Sequence, residues 1–141
     1  MINEKSAGAV IFIREKEIKY LLLHYGLGHW DFVKGNIEDK EDDKETIIRE
    51  IEEETNIKDL KFIPNFREKI QFFFKRKGEL VKKEVIYYLA ETKTTKVKLS
   101  FEHIGYKWLN YKDALKQLTF KTSKEILKKA NSMLKNSLLN Y

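Results

Sequence analysis

A cluster of carboxylates in the first half of the chain has the spacing and the chemistry of a metal site. Glu50, Glu53 and Glu54 stand at positions i, i+3 and i+4, so a helix through them carries three carboxylates on one face. Neighbouring like charges repel one another by on the order of a few tenths of a kcal/mol per pair. Mg²⁺ and Mn²⁺ prefer oxygen ligands of this kind. The spacing alone is compatible with a divalent metal site and with a solvated acidic face.

Aliphatic residues in the same stretch predict how this helix is seated. Ile47, Ile48 and Ile51 lie on an arc beside the acidic face. An apolar arc of this kind packs against a core while the opposite face stays in water. We therefore expect these isoleucines to be buried and the carboxylates to lie at the edge of the core.

The cluster is part of a longer pattern that runs from residue 35 to residue 57, GNIEDKEDDKETIIREIEEETNI. The pattern resembles the Nudix hydrolase signature G-x5-E-x7-R-E-U-x-E-E-x-G-U, where U is aliphatic. Asn56 stands where the family has glycine, and asparagine tolerates the left-handed backbone found at helix ends. The stretch is identified as a Nudix box. Its matching positions are Gly35, Glu41, Arg49, Glu50, Ile51, Glu53, Glu54 and Ile57.

The resemblance implies a role for each residue of the box. The three clustered glutamates would hold Mg²⁺ or Mn²⁺ for the hydrolysis of a pyrophosphate bond. Arg49 would orient one of them through a charge-assisted hydrogen bond. Gly35 would permit a tight turn, and Glu41 would pin the loop or serve as an outer metal ligand.

Length and composition favour one globular domain spanning residues 1–141. The chain has 141 residues, of which 42% are hydrophobic and 13% aromatic, enough for one packed core. It has no cysteine, which excludes disulfides and thiolate metal sites. The N-terminal residues do not follow the signal-peptide pattern, and no apolar stretch reaches the roughly 18 residues of a membrane helix. We expect a soluble, cytoplasmic protein that does not bind membranes.

The charge is divided unevenly along the chain, whose formal net charge is +6. Residues 41–57 contain eight acidic and two basic residues, a net charge of −6, and the rest of the chain therefore carries +12. An acidic patch in a basic body suits a polyanion that meets both metal ions and cationic side chains. Charge alone is equally compatible with nucleic-acid binding or with a lysine-rich soluble surface.

Hydrophobic patterning predicts strands before and after the box helix and helices near the C-terminus. The predicted strands cover residues 7–13, 19–25, 60–63, 65–75 and 82–91, with a further strand near Trp108 and Leu109. Turns are predicted at residues 14–17 and 76–79, and helices at residues 111–118 and 122–139. In the last helix a core-facing stripe is expected, formed by Ile126, Leu127, Ala130, Met133 and Leu134. This order fits a mixed sheet between helices, and the resemblance implies the α/β/α sandwich of the Nudix fold.

Segments outside the box resemble the asymmetric diadenosine tetraphosphate hydrolases within the Nudix family. These segments are AGAVIF, YLLLHY, HWDFVKG, KKEVIYYLAE, EHIGYKWL and TFK. By this resemblance Glu102, predicted to lie in a loop with His103, is a metal ligand or general base. The resemblance also implies substrate contacts by His29, Lys34, Lys83 and Tyr87, with the histidine and the lysines holding phosphates.

Two phenylalanines have competing interpretations. The chain has nine phenylalanines, and most residues of this type belong to a core, which favours a buried Phe72. The resemblance implies instead that Phe72 and Phe120 sandwich an adenine, a contact worth roughly 1–3 kcal/mol per base.

Three hypotheses follow for the function. The first is a Mg²⁺-dependent pyrophosphohydrolase that splits diadenosine tetraphosphate into ATP and AMP, acting as a monomer on this small molecule. The second keeps the chemistry but changes the substrate to another nucleoside polyphosphate, a damaged nucleotide or a capped RNA end. The third is a Nudix module that binds RNA or a nucleotide without turnover.

Overall fold

The computed structural model describes the chain from residue 1 to residue 139 and its side chains to residue 136, so residues 140 and 141 of the predicted domain lie outside the described residues. The strands are β1 Ile2–Arg14, β2 Ile18–Tyr25, β3 Trp30–Asp31, β4 Val33–Asn36, β5 Lys61–Phe62, β6 Glu68–Arg76, β7 Glu79–Glu91 and β8 His103–Asn110. The helices are α1 Asp43–Thr55, α2 Tyr111–Gln117 and α3 Lys121–Leu139. Among these described helices, none is both long and apolar enough to cross a membrane.

Strand β1 is the centre of one mixed sheet. It runs parallel to β7 along residues 2–12, and its other edge pairs antiparallel with β2 and β4. On the far side of β2 lies β8, and β3 also pairs with β2, while β7 carries both β5 and β6. Residues 6–13 of β1 are all buried because helices cover the sheet on both faces.

The two faces of the sheet have separate cores. Helix α1 covers one face with Ile47 and Ile51, and α2 and α3 cover the other. The predicted α/β/α sandwich is therefore confirmed. The predicted stripe of α3 is also confirmed, since Ile126, Leu127, Ala130 and Leu134 are buried and Met133 packs beside them.

Three strands differ from the sequence prediction. Strands β3 and β4 lie in a stretch for which no strand was predicted, because such short strands contain no alternating pattern. Strand β8 begins at His103, which pairs with Tyr25, so the prediction of a loop through His103 was wrong. Glu102 does lie in a turn, directly before this strand.

Candidate active site

Helix α1 begins and ends at the positions that its capping residues dictate. Asp42 accepts a hydrogen bond from the Glu45 N–H at 2.8 Å, and the Glu45 carboxylate in turn accepts one from the Asp42 N–H. At the C-terminus Asn56 adopts the left-handed conformation, with φ 61° and ψ 19°. The departure from the family glycine is therefore accommodated as expected.

The packing of α1 against the core differs from the prediction at one residue. Ile47 and Ile51 are buried, one turn apart on the same row of the helix, but Ile48 is exposed. The expectation that Ile48 packs against the core was wrong, because a residue one step along a helix is rotated by roughly 100°. The two buried isoleucines still orient the helix so that its carboxylates face strand β4.

Gly35 lets this helix approach the sheet closely. It lies within β4, and its backbone does not have a positive φ. A Cβ atom at this position would overlap the Glu50 side chain. The predicted turn at Gly35 was wrong, and the glycine instead provides the space that Glu50 occupies.

Arg49 gathers the carboxylates of the box around one guanidinium group. Its Nε and Nη2 donate to the two oxygens of Glu41 at 2.7 Å and 3.1 Å. Its Nη1 donates to Glu50 at 2.9 Å and to Glu53 at 3.3 Å. The same Glu41 accepts a hydrogen bond from the Glu38 N–H, which pins the loop before the helix, as expected. The hydrogen bond from Arg49 is the main reason that the pKa of Glu41 is lowered to about 2.

Glu54 is the buried acid of the site. Only 6% of the residue is exposed, and its Oε2 is buried without a hydrogen-bond partner. Loss of hydration, reinforced by the charge of Glu50, raises the pKa of Glu54 to about 8. A buried carboxylate oxygen without a partner is an energetic cost that a bound cation removes.

The donor set suits a hard divalent cation. No three acidic or histidine side chains converge on one point in the part of the chain that the structure describes. Glu50 and Glu53 are paired with Arg49. The oxygens of Glu50, Glu53 and Glu54 nevertheless lie along the wall of one cleft. All-oxygen ligation of this kind would fit Mg²⁺ or Mn²⁺.

This cleft has a volume of about 510 Å³ and brings three segments together. Residues 34–36 of β4 form one wall, α1 forms the second, and residues 100–102 form the third. Glu102 thus faces the box, although 48 residues separate it from Glu54 in the sequence. The expected association of Glu102 with the box is present in the fold.

Lys34 supplies positive charge beside the carboxylates. Its Nζ lies 3.2 Å from the Oδ2 of Asp31, a carboxylate with no exposed surface. The other oxygen of Asp31 accepts hydrogen bonds from Ser123 at 2.7 Å and from the Phe32 N–H at 2.8 Å. Asp31 therefore ties Lys34 to the first turn of α3.

Lys83 lies at the edge of this cleft, behind Asn36. Its Nζ donates to the Asn36 Oδ1 at 3.1 Å and is 3.7 Å from Glu4. Burial lowers the pKa of Lys83. Because Asn36 lines the cleft, its hydrogen bond with Lys83 brings the Lys83 ammonium group to the edge of the site.

The aromatic candidates lie on the surface rather than in the core. Phe72 is 36% exposed and stands directly opposite Lys83 in the β6–β7 register, so the expectation of a core position was wrong. Phe120 is 41% exposed, and its ring centroid lies 5.3 Å from that of His29. His29 stacks on Tyr25 at 4.6 Å, and burial lowers the pKa of its ring.

Tyr87 does not reach this surface. The residue is 0% exposed and packs edge-on against Phe32 at 5.9 Å. The prediction of a substrate contact by Tyr87 is contradicted by this burial. The sequence of a strand predicts that successive side chains point to opposite faces of the sheet, but it does not show which face a helix covers. Here α3 covers the face that carries Tyr87.

Several residues of the site were missed by the sequence analysis. Asn36, Ser100 and Phe101 line the cleft, and Asp31 and Ser123 support Lys34 from within the fold. Asp31 lies within the HWDFVKG segment and Asn36 directly follows its glycine, which was the available signal. Ser123 had none, because its contact spans 92 residues of sequence.

Comparison with known proteins covers more than nine tenths of the chain. The sequence profile of the NUDIX domain matches residues 3–130. A mouse (Mus musculus) asymmetrical bis(5'-nucleosyl)-tetraphosphatase is 34% identical over 143 aligned positions, which cover 92% of the chain and 95% of the mouse protein. The corresponding Caenorhabditis elegans protein is 34% identical over 136 positions, covering 92% and 96%. A crystal structure of a C. elegans Ap4A hydrolase binary complex superposes with a TM-score of 0.84 at 32% identity and covers 94% of this chain and 98% of that one.

Proposed function

The chain belongs to the NUDIX domain family, and from this membership we propose that it hydrolyses diadenosine tetraphosphate to ATP and AMP with Mg²⁺. One observation carries the proposal. The box carboxylates, Glu102 and Lys34 share one cleft, with Lys83 at its edge. Relatives similar over more than nine tenths of the chain are asymmetrical bis(5'-nucleosyl)-tetraphosphatases.

The acidic wall of the cleft is the part that would hold the metal. Glu50, Glu53 and Glu54 would supply its oxygen ligands, and Glu102 faces them across the cleft. A bound divalent cation would neutralise the phosphate chain and favour ionisation of the attacking water. Arg49 holds Glu50 and Glu53 through hydrogen bonds and so keeps the carboxylates together.

The basic wall would bind the phosphate chain. Lys34 is held by the buried Asp31, which fixes its ammonium group at the cleft, and Lys83 is held by Asn36. Fixed cations stabilise the charge that develops as water attacks an outer phosphorus and the phosphoanhydride bond breaks. Glu102, which lines the same cleft, would take the proton of that water.

The adenosine would lie on the neighbouring surface. Phe120 contacts His29, and Phe72 stands next to Lys83, so each exposed ring adjoins a predicted phosphate contact. Partly exposed rings of this kind provide stacking surfaces for a base. We include Phe72, Phe120 and His29 in the proposed substrate site and leave Tyr87 out.

Product analysis tests the reaction. The purified protein is incubated with Mg²⁺ and diadenosine tetraphosphate, and in parallel with diadenosine triphosphate, nucleoside triphosphates, ADP-ribose and capped RNA. Equimolar ATP and AMP, with little turnover of the other compounds, is the expected result. Two ADP would contradict the asymmetric attack, and turnover of another compound alone would retain the box chemistry with a different substrate. Binding of RNA that weakens steeply with salt, without any turnover, would favour the binding module.

The first prediction concerns the buried acid. Replacement Glu54→Gln removes one charged ligand and is expected to lower kcat by at least about a hundredfold, the usual size of losing one preorganised electrostatic partner. Glu52→Gln, on the exposed side of the same helix, is the matched control and is expected to retain activity. Activity within about threefold of wild type in folded Glu54→Gln protein would overturn the assignment of Glu54.

The proposal also includes a monomer and a cytoplasmic location, both of which stay predictions. Size-exclusion chromatography with light scattering tests the first, and a mass of twice 16.9 kDa would contradict it.

A further inference from the structure

Phe101 is the most exposed aromatic side chain of the cleft. It is 96% exposed, and it lines the cleft between Ser100 and Glu102. An exposed aromatic ring that lines a cleft gains free energy when a ligand covers it, and its face offers a stacking surface to a nucleobase bound there. The sequence resemblance assigned no role to this residue.

The turn that carries Phe101 is anchored on both sides. The Ser100 N–H donates to the backbone oxygen of Glu54 at 3.2 Å, and the Gly26 N–H donates to that of Glu102 at 3.3 Å. Within the turn, the His103 N–H donates to the Ser100 oxygen, and the Ser100 hydroxyl lies 3.2 Å from Nδ1 of the buried His103. The backbone of the turn is therefore held at the rim of the cleft, and it carries the Phe101 side chain next to the acidic wall.

The position of Phe101 complements that of the other exposed rings. Phe72 and Phe120 adjoin Lys83 and His29, and neither ring lines the carboxylate cleft. Phe101 does line it, beside Glu102. Aromatic surfaces thus lie both at the basic side of the site and at its acidic rim.

A substrate with a nucleoside at each end of a phosphate chain matches this arrangement. We propose that Phe101 stacks on the second nucleoside of the dinucleoside polyphosphate while the first lies near Phe72 and Phe120. Phe101 is then a specificity-determining residue, because it favours substrates that carry two nucleosides over those that carry one. This inference rests on the proposed function.

The test compares two compounds that differ only in the second nucleoside. KM and kcat are measured for diadenosine tetraphosphate, and the inhibition constant is measured for adenosine 5'-tetraphosphate as its competitor. In Phe101→Ala we expect KM for diadenosine tetraphosphate to rise about tenfold with kcat little changed, the signature of lost uniform binding and the size of one stacking contact. The inhibition constant of the mononucleoside is expected to stay within about twofold.

Two further variants separate stacking from a general effect of an exposed ring. Phe101→Trp keeps a stacking surface and is expected to restore a KM close to wild type. Leu27→Ala is the matched control, because Leu27 is 94% exposed on the adjoining loop but does not line the cleft. Leu27→Ala is expected to alter neither KM for diadenosine tetraphosphate nor the inhibition constant of adenosine 5'-tetraphosphate.

Equal changes in both constants, or an unchanged KM in Phe101→Ala, would overturn the stacking role while leaving the proposed function in place. Failure of the wild-type protein to hydrolyse diadenosine tetraphosphate would overturn the proposed function and the inference with it.

Discussion

At the scale of single residues, the site combines burial with unbalanced charge. Glu54 is buried, has an oxygen without a hydrogen-bond partner and lies close to Glu50. Arg49 forms ion pairs with Glu41, Glu50 and Glu53. Its positive charge therefore compensates these three carboxylates better than it compensates the buried Glu54. The metal-free protein therefore carries a cost at Glu54 that a cation would relieve.

The pH dependence of stability should report this cost. The folded protein holds a proton on Glu54 up to about pH 8, whereas the unfolded chain loses it near the ordinary pKa of 4.5. Between these values the folded state binds more protons, so the free energy of unfolding of the metal-free protein falls as pH rises. In Glu54→Gln this contribution is absent, and the variant is expected to be the more stable protein near pH 8.

Thermal unfolding in a chelating buffer, at several values from about pH 5 to about pH 8, checks this expectation. Glu52→Gln serves as the control. In separate samples without the chelator, Mg²⁺ is expected to raise the midpoint temperature of unfolding more for wild type than for Glu54→Gln. Parallel pH profiles for wild type and Glu54→Gln would contradict the assigned pKa shift.

At the scale of elements, the site depends on contacts between segments that are distant in sequence. Helix α3 reaches the basic wall through Ser123, whose hydroxyl donates to the buried Asp31 at 2.7 Å. Asp31 in turn holds Lys34 at the cleft. Phe120 lies directly before the first residue of α3. The buried Asp31 therefore connects Lys34, a proposed phosphate contact, with the start of the helix that follows Phe120, a proposed base contact.

Replacement of Ser123 by alanine tests this connection. The variant removes one of the hydrogen bonds to a buried carboxylate, and we expect a loss of about 1–3 kcal/mol in the free energy of unfolding. Ser132→Ala, at an exposed position of the same helix, is expected to change stability by less than about 0.5 kcal/mol. Urea denaturation of both variants provides the measurement, and equal stabilities would show that the Ser123 contact contributes nothing.

At the scale of the whole molecule, charge is arranged around the cleft. Residues 41–57 carry a net charge of −6 in a chain whose net charge is +6. The basic remainder attracts a tetraphosphate chain over distances comparable to the Debye length, about 10 Å at 0.1 M salt. Binding, rather than the chemical step, is the stage that such long-range attraction affects.

The dependence of KM on salt tests this attraction. With free Mg²⁺ held constant, KM for diadenosine tetraphosphate is expected to rise between about 0.05 M and about 0.5 M KCl, because screening weakens the attraction of the basic surface. The rate constant kcat is expected to change little over the same range. A KM that does not change with salt would contradict the long-range attraction by the basic surface.

The sequence by itself determined the family, the box helix and the α/β/α sandwich. These are encoded locally, in the fixed spacing from Gly35 to Ile57, in the capping residues and in periodic apolar patterns. The family profile and the relatives confirm the family, and the structure confirms the helix and the sandwich. The left-handed Asn56 was also predictable, because backbone preference belongs to one residue.

Only the tertiary structure decided which side chains reach the cleft. Tyr87 and Phe72 lie on neighbouring strands of one sheet, yet α3 buries the first and leaves the second exposed. Gly35 is needed for the approach of Glu50 rather than for a turn, and Ser123 meets Asp31 across 92 residues. These outcomes depend on the packing of elements distant in sequence, whose contacts leave no pattern in the order of the residues.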